Sequence, residues 1–210
     1  MRILYLDIDT TRADHLSCYG YLRKTTPNID RIAADGVRYD HCYVSDAPCL
    51  PSRAAMFSGQ FGIHNGVVNH GGVAADRFLV GCDRGFSTDG QFPGFVASLR
   101  KQNIYPVSFS PFAERHSAWW FCEGWREMYN TGKRGSEDAS EIVPGALRWI
   151  GEHGKNDDWM LHVNIWDPHG PYRAPEDFGN PFEAEPIEDW YTEELRQQQW
   201  ESFGPGGPQE

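Results

Sequence analysis

Two short, strongly apolar runs that end in polar residues constrain the fold of this chain more than any other feature. Residues 3–9 read Ile-Leu-Tyr-Leu-Asp-Ile-Asp, and residues 159–166 read Trp-Met-Leu-His-Val-Asn-Ile-Trp. Runs of this kind are typical of strands that are buried on both faces, as in parallel sheets. Helical patterns between the runs supply the crossovers that such a sheet requires. The sequence therefore predicts an α/β fold with a largely parallel sheet flanked by helices.

The remaining elements follow from periodicity and from turn residues. Thr26 and Pro27 mark the start of one helix, and Gly36 marks its end. The predicted segments are helices at 27–34, 51–58, 93–101 and 140–153, strands at 37–44 and 104–109, and a long Gly-rich loop at 60–92. Pro144 is expected in the first turn of its helix, because proline disrupts a helix interior.

Composition excludes some classes of partner. The chain has 210 residues and a formal net charge of −11, which argues against nucleic acid and requires a cation near the site if the substrate is an anion. No run approaches membrane-spanning length, and the first six residues cannot hold the apolar part of a signal peptide. We therefore expect a cytoplasmic protein without a membrane partner. Residues 183–210 are rich in Glu, Gln, Pro and Gly and predict an acidic tail, disordered at its end, after a domain that covers residues 1–182.

The segment with the most chemical information is Cys49-Leu50-Pro51-Ser52-Arg53. Pro51 suits the first turn of a helix, which places residue 49 among free backbone N–H groups that favour negative charge. Arg53 lies about one helical turn from residue 49 and can hold an oxyanion or the nucleophile. The alternative interpretation is a buried thiol ahead of a helix that begins with proline.

This segment resembles the C-x-P-S-R signature of type I sulfatases, which belong to the alkaline phosphatase superfamily. Four fixed positions would arise by chance in about one chain in a thousand of this length, so the motif is specific. The resemblance implies that a formylglycine-generating enzyme oxidises Cys49 to formylglycine, whose hydrated aldehyde attacks the sulfur of a sulfate ester. It also implies that Arg53 is catalytic and that the fold is alkaline-phosphatase-like.

The segment from Asp7 to Gly20 resembles the opening segment of the same family, in which an aspartate at a strand end binds a divalent cation. Alignment on the Tyr-Gly pair implies that Asp9 is the main ligand, beside the side chain of residue 49. Thr10 stands where many members have a second aspartate. Asp7 is the candidate substitute, because alternation places it on the same side of the strand as Asp9. Oxygen ligands favour Ca²⁺, followed by Mg²⁺ or Mn²⁺; solvated or capping carboxylates are the alternative.

Three further polar residues are candidates for contact with substrate. His169 follows the second apolar run in a segment that resembles the family's P-H-x-P-Y sequence, whose His contacts the transferred sulfuryl group. The family's G-K-x-H segment has no clean counterpart here, and Arg115 and His116 are the nearest cation and proton donor, with His116 as candidate general acid. Asn69 falls where sulfatases and phosphonate monoester hydrolases place polar residues that contact substrate. Structural roles in turns are the alternatives for these residues, and His162 is expected to be a core histidine.

The resemblance leaves the site incomplete. Family members are longer, and their later part supplies further metal ligands in a D-H-G or D-N-G segment that this sequence does not contain. We therefore expect a fold that is incomplete at the carboxyl end. The leading hypothesis is hydrolysis of small-molecule or carbohydrate sulfate monoesters. The alternatives are phosphonate monoester or phosphodiester hydrolysis, and an inactive truncated fragment that acts as a binding module.

Overall fold

A four-stranded, entirely parallel sheet forms the centre of the molecule. The computed structural model describes residues 1–77, 94–170, 172, 174–185 and 191–202. Its strands are β1 (Arg2–Ile8), β2 (Tyr105–Phe109), β3 (Glu127–Tyr129) and β4 (Trp159–Ile165), in the order β1-β4-β2-β3. The predicted α/β fold and the two apolar strands are confirmed. The short strand β3 was not predicted, since three residues carry too little periodicity to be recognised.

Seven α-helices accompany the sheet in the described part of the chain. They are α1 (Pro27–Asp35), α2 (Cys49–Ser58), α3 (Gly62–Asn65), α4 (Phe95–Lys101), α5 (Phe112–His116), α6 (Ala139–His153) and α7 (Glu193–Glu201). The predicted helices at 27–34, 51–58, 93–101 and 140–153 correspond to α1, α2, α4 and α6. Short helical elements interrupt the predicted loop at 60–92, of which residues 78–92 lie outside the described residues. None of the helices in the described ranges is long and apolar enough to cross a membrane.

The two faces of the sheet are covered by different cores. One core contains Leu50 and Phe57 of α2 with Phe112 of α5 and Met160 of β4. The other core contains apolar residues of α6 packed against the opposite face of the sheet. Asp138 and Glu141 form a capping box at the start of α6, so the helix begins at Ala139. This packing carries the helix through Pro144, which lies inside it and not in the first turn as predicted.

The predicted strand at 37–44 is wrong. Its residues form no strand, and its large apolar side chains are mostly exposed, with Tyr43 at 84% and Val37 at 79%. Hydrogen bonds from side chains, and not a ladder between backbones, fix the position of this segment. Arg38 donates to the carbonyl oxygen of Cys18, and the Tyr19 hydroxyl donates to the carbonyl oxygen of Tyr39 at 3.0 Å. Alternation of apolar and polar residues indicates a strand only when a neighbouring strand is within reach.

The predicted tail at 183–210 and the edge strand β1 relate to the prediction that the fold is incomplete at its carboxyl end. α7 occupies part of the predicted tail and is capped by Thr192, whereas residues 203–210 are outside the described ranges. The domain boundary at residue 182 stays a prediction. β1 lies at an edge of the sheet among the described strands, and its side chains Leu4 and Leu6 are 57% and 48% exposed. An edge strand with exposed apolar side chains is open to further packing.

Two glycines of α6 provide a matched test of the helix–sheet contact. A Cβ atom added at Gly145 would lie 2.9 Å from Cε1 of Phe109, whereas one added at Gly151 would meet nothing within 4 Å. We expect Gly151→Ala to raise the free energy of unfolding by about 0.5–1 kcal/mol, because alanine favours a helix over glycine. We expect Gly145→Ala to lower it by about 1 kcal/mol, because the clash outweighs that gain. Urea unfolding measures both, and a stabilising Gly145→Ala would contradict the close packing of α6 on β2.

Candidate active site

The candidate site lies at the carboxyl end of the sheet, where loops after parallel strands usually carry function. Asp9 follows β1, His169 follows β4, and His116 ends α5. Cys49 is the first residue of α2, and Pro48 immediately precedes the helix. Residue 49 is half-buried, and the next residue of the helix is fully buried. The first side chain of the helix therefore lies at the carboxyl end of the strands, where the polar residues are.

Two imidazoles lie against the sulfur of Cys49. The Sγ atom is 3.2 Å from Nε2 of His70 and 3.8 Å from Nε2 of His116. Nε2 of His70 also accepts a hydrogen bond from the backbone N–H of Leu50 at 3.3 Å. The structure thus brings the predicted His116 to the predicted nucleophile. It also adds His70, which sequence reasoning did not single out.

Burial opposes a charge on the thiol of Cys49 and on the two imidazoles beside it. Burial, together with the nearby charge of Asp9, raises the pKa of Cys49, and the positive charge of Arg53 only partly opposes this effect. Burial and the positive charge of Arg115 lower the pKa of His70. Burial, followed by the effects of His70 and Arg115, lowers the pKa of His116 to about 3. The unmodified thiol is therefore not activated as a thiolate.

Arg53 binds both aspartates of the first strand end. Its guanidinium donates to the carboxylate of Asp7 in bidentate fashion, at 3.0 Å from Nε and 2.6 Å from Nη2. Its Nη1 lies 2.9 Å from Oδ2 of Asp9. The side chain of Arg53 is only 13% exposed, so these charges are paired away from water. This cluster ties the start of α2 to the end of β1.

Asp7 is held from several directions. Asn164 donates to its carbonyl oxygen at 3.3 Å and to Oδ2 at 3.4 Å, and Nε2 of His162 lies 3.8 Å from Oδ2. Burial raises the pKa of Asp7, but the interactions with His162 and Arg53 outweigh burial and lower it. The partners found for Asp7 are Arg53, Asn164 and His162, and its role as a metal ligand stays a prediction. His162 is 1% exposed and bonds through Nδ1 to Ser108 at 2.9 Å, as expected of a core histidine.

Asp9 has an oxygen available for a cation. The residue is 2% exposed, and its Oδ1 accepts from the Thr10 hydroxyl at 2.6 Å. Oδ2 is buried and accepts no hydrogen bond, although Nη1 of Arg53 lies 2.9 Å from it as an ion pair that a cation would have to share or displace. A ligand atom of Asp9, the sulfur of Cys49 and a ring nitrogen of His169 lie within 4.8 Å of one another. The residues present therefore fit a metal ion.

His169 and Arg115 lie side by side at the carboxyl end of the sheet. Nη2 of Arg115 is 3.4 Å from both ring nitrogens of His169, and its guanidinium lies 4.5 Å from the ring centroid of Trp166. Nδ1 of His169 lies 2.9 Å from the carbonyl oxygen of Gly170. Asn69 is exposed, and its side chain accepts from the backbone N–H of His70 at 2.8 Å. A role for Asn69 in substrate binding stays a prediction.

An open cavity of about 220 Å³ lies beside Asp9, Cys49 and Arg53. It is lined by Asp9, Thr10, Val44, Asp46, Ala47, Pro48, Cys49, Ser52 and Arg53. A larger cavity of about 340 Å³ lies at the opposite end of the strands, between Tyr105 and Trp159. We place the site at the smaller cavity, because convergent polar groups identify a site better than volume does.

A double-mutant cycle tests the Asp7–Arg53 pair. We expect Asp7→Ala and Arg53→Met each to lower the free energy of unfolding by about 2–4 kcal/mol, because each leaves a buried charge without its main partner. The double variant should lose at least about 1 kcal/mol less than the sum of the two. The exposed Arg12–Asp14 pair is the control, and Asp14→Ala should change stability by about 0.5 kcal/mol or less. Additive losses at Asp7 and Arg53 would contradict the coupling.

Comparison with known proteins places this site in a family. The family model described as Sulfatase matches residues 2–202. The N-acetylglucosamine-6-O-sulfatase of Bacteroides thetaiotaomicron is 40% identical over 68 residues, which is 32% of this chain and 12% of that protein. The match therefore spans about an eighth of the length of that relative.

Two solved structures share the fold. The structure of BT4656 in complex with its substrate D-glucosamine-2-N,6-O-disulfate has a TM-score of 0.64 at 22% identity, over 89% of this chain and 38% of that one. The phosphonate monoester hydrolase of Agrobacterium radiobacter has a TM-score of 0.61 at 20% identity, over 84% and 43%. At this identity the two structures show the fold alone. Because the family model matches nearly the whole sequence, the chain belongs to the sulfatase family.

Proposed function

We propose that this chain hydrolyses sulfate monoesters, with the side chain of residue 49 as nucleophile after conversion to formylglycine. The observation that carries the proposal is the surroundings of Cys49. Its sulfur lies at a helix start, within 3.8 Å of two imidazole nitrogens, and in one cluster with Asp9 and His169. A packing cysteine has no need of these neighbours.

Conversion of Cys49 to formylglycine would remove the need for a thiolate at a site that disfavours one. A thiol whose pKa is raised by burial is a weak nucleophile at neutral pH. Formylglycine, made by a formylglycine-generating enzyme, supplies a hydrated aldehyde whose hydroxyl groups need no thiolate. Backbone N–H groups at the start of α2 favour negative charge at residue 49, and Arg53, one turn along the helix, adds a second source of positive charge.

A divalent cation completes the proposal. Asp9, whose Oδ2 accepts no hydrogen bond but is ion-paired with Arg53, and the side chain of residue 49 would hold it, with Asp7 as the further candidate. Calcium is the first choice for such oxygen ligands, and Mg²⁺ or Mn²⁺ come next. When bound, the ion supplies positive charge to the sulfuryl oxygens in a chain whose net charge is −11.

The imidazoles at residue 49 are placed for proton transfer. His70 and His116 are neutral in the free site, because burial lowers the pKa of both. A neutral imidazole can accept a proton from an attacking hydroxyl group. For His116 to act as general acid, a bound sulfate ester must raise its pKa from about 3 through its negative charge. His169 and Arg115, which are in contact, lie where they can bind the sulfuryl oxygens or the leaving group.

Sulfated sugars are the substrates that the proposal favours. One relative is an N-acetylglucosamine-6-O-sulfatase, and one structural neighbour was solved with a glucosamine disulfate as its substrate. We extend this chemistry to the present chain as carbohydrate sulfate esters. Phosphonate monoester or phosphodiester hydrolysis is the second candidate, because the same groups suit tetrahedral phosphorus and a phosphonate monoester hydrolase shares the fold. An inactive binding module is the third.

Mass spectrometry of the peptide that contains residue 49 tests the nucleophile. We expect its mass to fall by about 18 Da when the chain is produced with a formylglycine-generating enzyme, because oxygen replaces sulfur and two hydrogens are lost. Production without that enzyme is the control and should leave the thiol. An unchanged mass in the presence of the enzyme would contradict the proposal.

Paired substrates separate the three candidate functions. We expect the converted chain to cleave an aryl or sugar sulfate faster than the matching phosphonate ester, and Cys49→Ala to abolish both activities. His70→Ala and His116→Ala should each reduce kcat by about 100-fold, the contribution typical of a positioned proton-transfer group. Cys42→Ser is the matched control, since Cys42 is exposed and its substitution should leave the rate unchanged. Faster phosphonate cleavage would favour the second candidate, and no turnover of either ester by converted protein would favour the inactive module.

A further inference from the structure

The chain as encoded carries a thiol at residue 49, and a thiol prefers different metals from an aldehyde. We infer that, before its conversion, Cys49 forms a transition-metal site with Asp9 and His169 that binds Zn²⁺ and its spectroscopic substitute Co²⁺. Conversion of Cys49 would then remove the sulfur ligand and change the preference of the site from a soft metal to a hard one. The first statement is independent of the proposed function, whereas the second rests on it.

The three donor atoms are close enough for one ion. The sulfur, a ring nitrogen of His169 and a carboxylate oxygen of Asp9 all lie within 4.8 Å of one another. Two ligands of a tetrahedral zinc ion are separated by about 3.3–3.8 Å, given bonds of about 2.0–2.3 Å. Small side-chain rotations can close the difference. The charge also balances, since a thiolate and a carboxylate together offset the two positive charges of the ion.

Contacts of the individual ligands support metal binding. Nδ1 of His169 lies 2.9 Å from the carbonyl oxygen of Gly170, and donation there leaves a lone pair on Nε2. Histidines that bind metals commonly donate their other ring N–H group in this way. Nη2 of Arg115 lies 3.4 Å from Nε2 of His169, so an ion would have to displace the guanidinium there. Asp9 is oriented by the hydroxyl of Thr10, which bonds to Oδ1 at 2.6 Å. Its buried Oδ2 accepts no hydrogen bond and has a charge contact with Arg53 at 2.9 Å, which a bound ion would replace.

A fourth ligand is near the same sulfur. Nε2 of His70 is 3.2 Å from Sγ and accepts the backbone N–H of Leu50 at 3.3 Å, so its lone pair is engaged in that hydrogen bond. Water can complete a tetrahedron, and His70 can do so if it exchanges that hydrogen bond for the ion. A set of one sulfur, one or two imidazole nitrogens and one carboxylate oxygen suits Zn²⁺ or Co²⁺, whereas Ca²⁺ takes six to eight oxygen ligands.

The consequence concerns the thiol itself. A metal-bound thiolate is not free to react with an alkylating agent, so Zn²⁺ should protect Cys49 while leaving the exposed Cys42 reactive. After conversion no sulfur remains at residue 49. The site then keeps the oxygen of Asp9, which a hard cation prefers.

Cobalt spectroscopy tests the inference on the untagged chain, produced without a formylglycine-generating enzyme. One equivalent of Co²⁺ should give a thiolate-to-cobalt charge-transfer band in the near ultraviolet, which Zn²⁺ removes and excess Ca²⁺ does not. Cys49→Ser should abolish the band, Cys42→Ser should preserve it, and His169→Gln should weaken Zn²⁺ binding at least about tenfold. Circular dichroism of each variant checks that it folds. A band that persists in Cys49→Ser, or the absence of Co²⁺ and Zn²⁺ binding by the unmodified chain, would overturn the inference.

The same experiment on converted protein separates this inference from the proposed function. There the band should be absent while the peptide mass confirms the conversion. A chain that binds zinc but never converts retains this site and loses its sulfatase function. A chain that converts and cleaves sulfate esters, but binds no zinc as a thiol, retains the function and loses this site.

Discussion

The buried guanidinium of Arg53 fixes the start of α2 against the end of β1 at the site. It forms a bidentate pair with Asp7 and a charge contact with Asp9, so one side chain fixes both strand-end carboxylates relative to residue 49 on its own helix. A buried ion pair of this kind contributes more to a defined geometry than to net stability, because desolvation offsets most of the attraction. We regard the pair as the condition on which the positions of Cys49 and Asp9 depend.

The sequence predicts the frame of this site well and its lining less well. β1, β4 and α2 are recognisable because each satisfies a local rule, an apolar run or a proline near a helix start. Asp9 and His169 follow the two strands, and Cys49 begins the helix. His70 was missed because it lies in a Gly-rich loop, where no periodicity reports which side chain turns inward. The sequence predicts a role for its neighbour Asn69; both residues are exposed, and of the two it is His70 that contacts the sulfur of Cys49. The false strand at 37–44 and the missed β3 have the same origin, since pairing partners are not visible in a local pattern.

Positive side chains at the site locally oppose the negative net charge of the whole chain. A net charge of −11 repels anions at long range. At the site, however, Arg53 is matched by Asp7 and Asp9, and Arg115 stands beside His169 on the ring of Trp166. The imidazoles near the sulfur remain neutral because burial opposes their protonation. An anionic ester that enters would therefore meet positive charge only within contact range, where solvent screening is weakest.

The identity of the atom at residue 49 then decides what the same pocket binds. With sulfur, the nearest groups are an imidazole at 3.2 Å and a carboxylate within the same cluster, a combination that favours borderline-soft metals. If oxygen takes its place, as we propose, the site would prefer a hard cation. Replacement of the sulfur by oxygen requires no movement of the backbone. Leu50 and Pro51, which follow residue 49 in α2, are buried and hold it in position independently of its side chain. A single covalent change can therefore alter both the nucleophile and the metal preference of a pocket whose walls stay fixed.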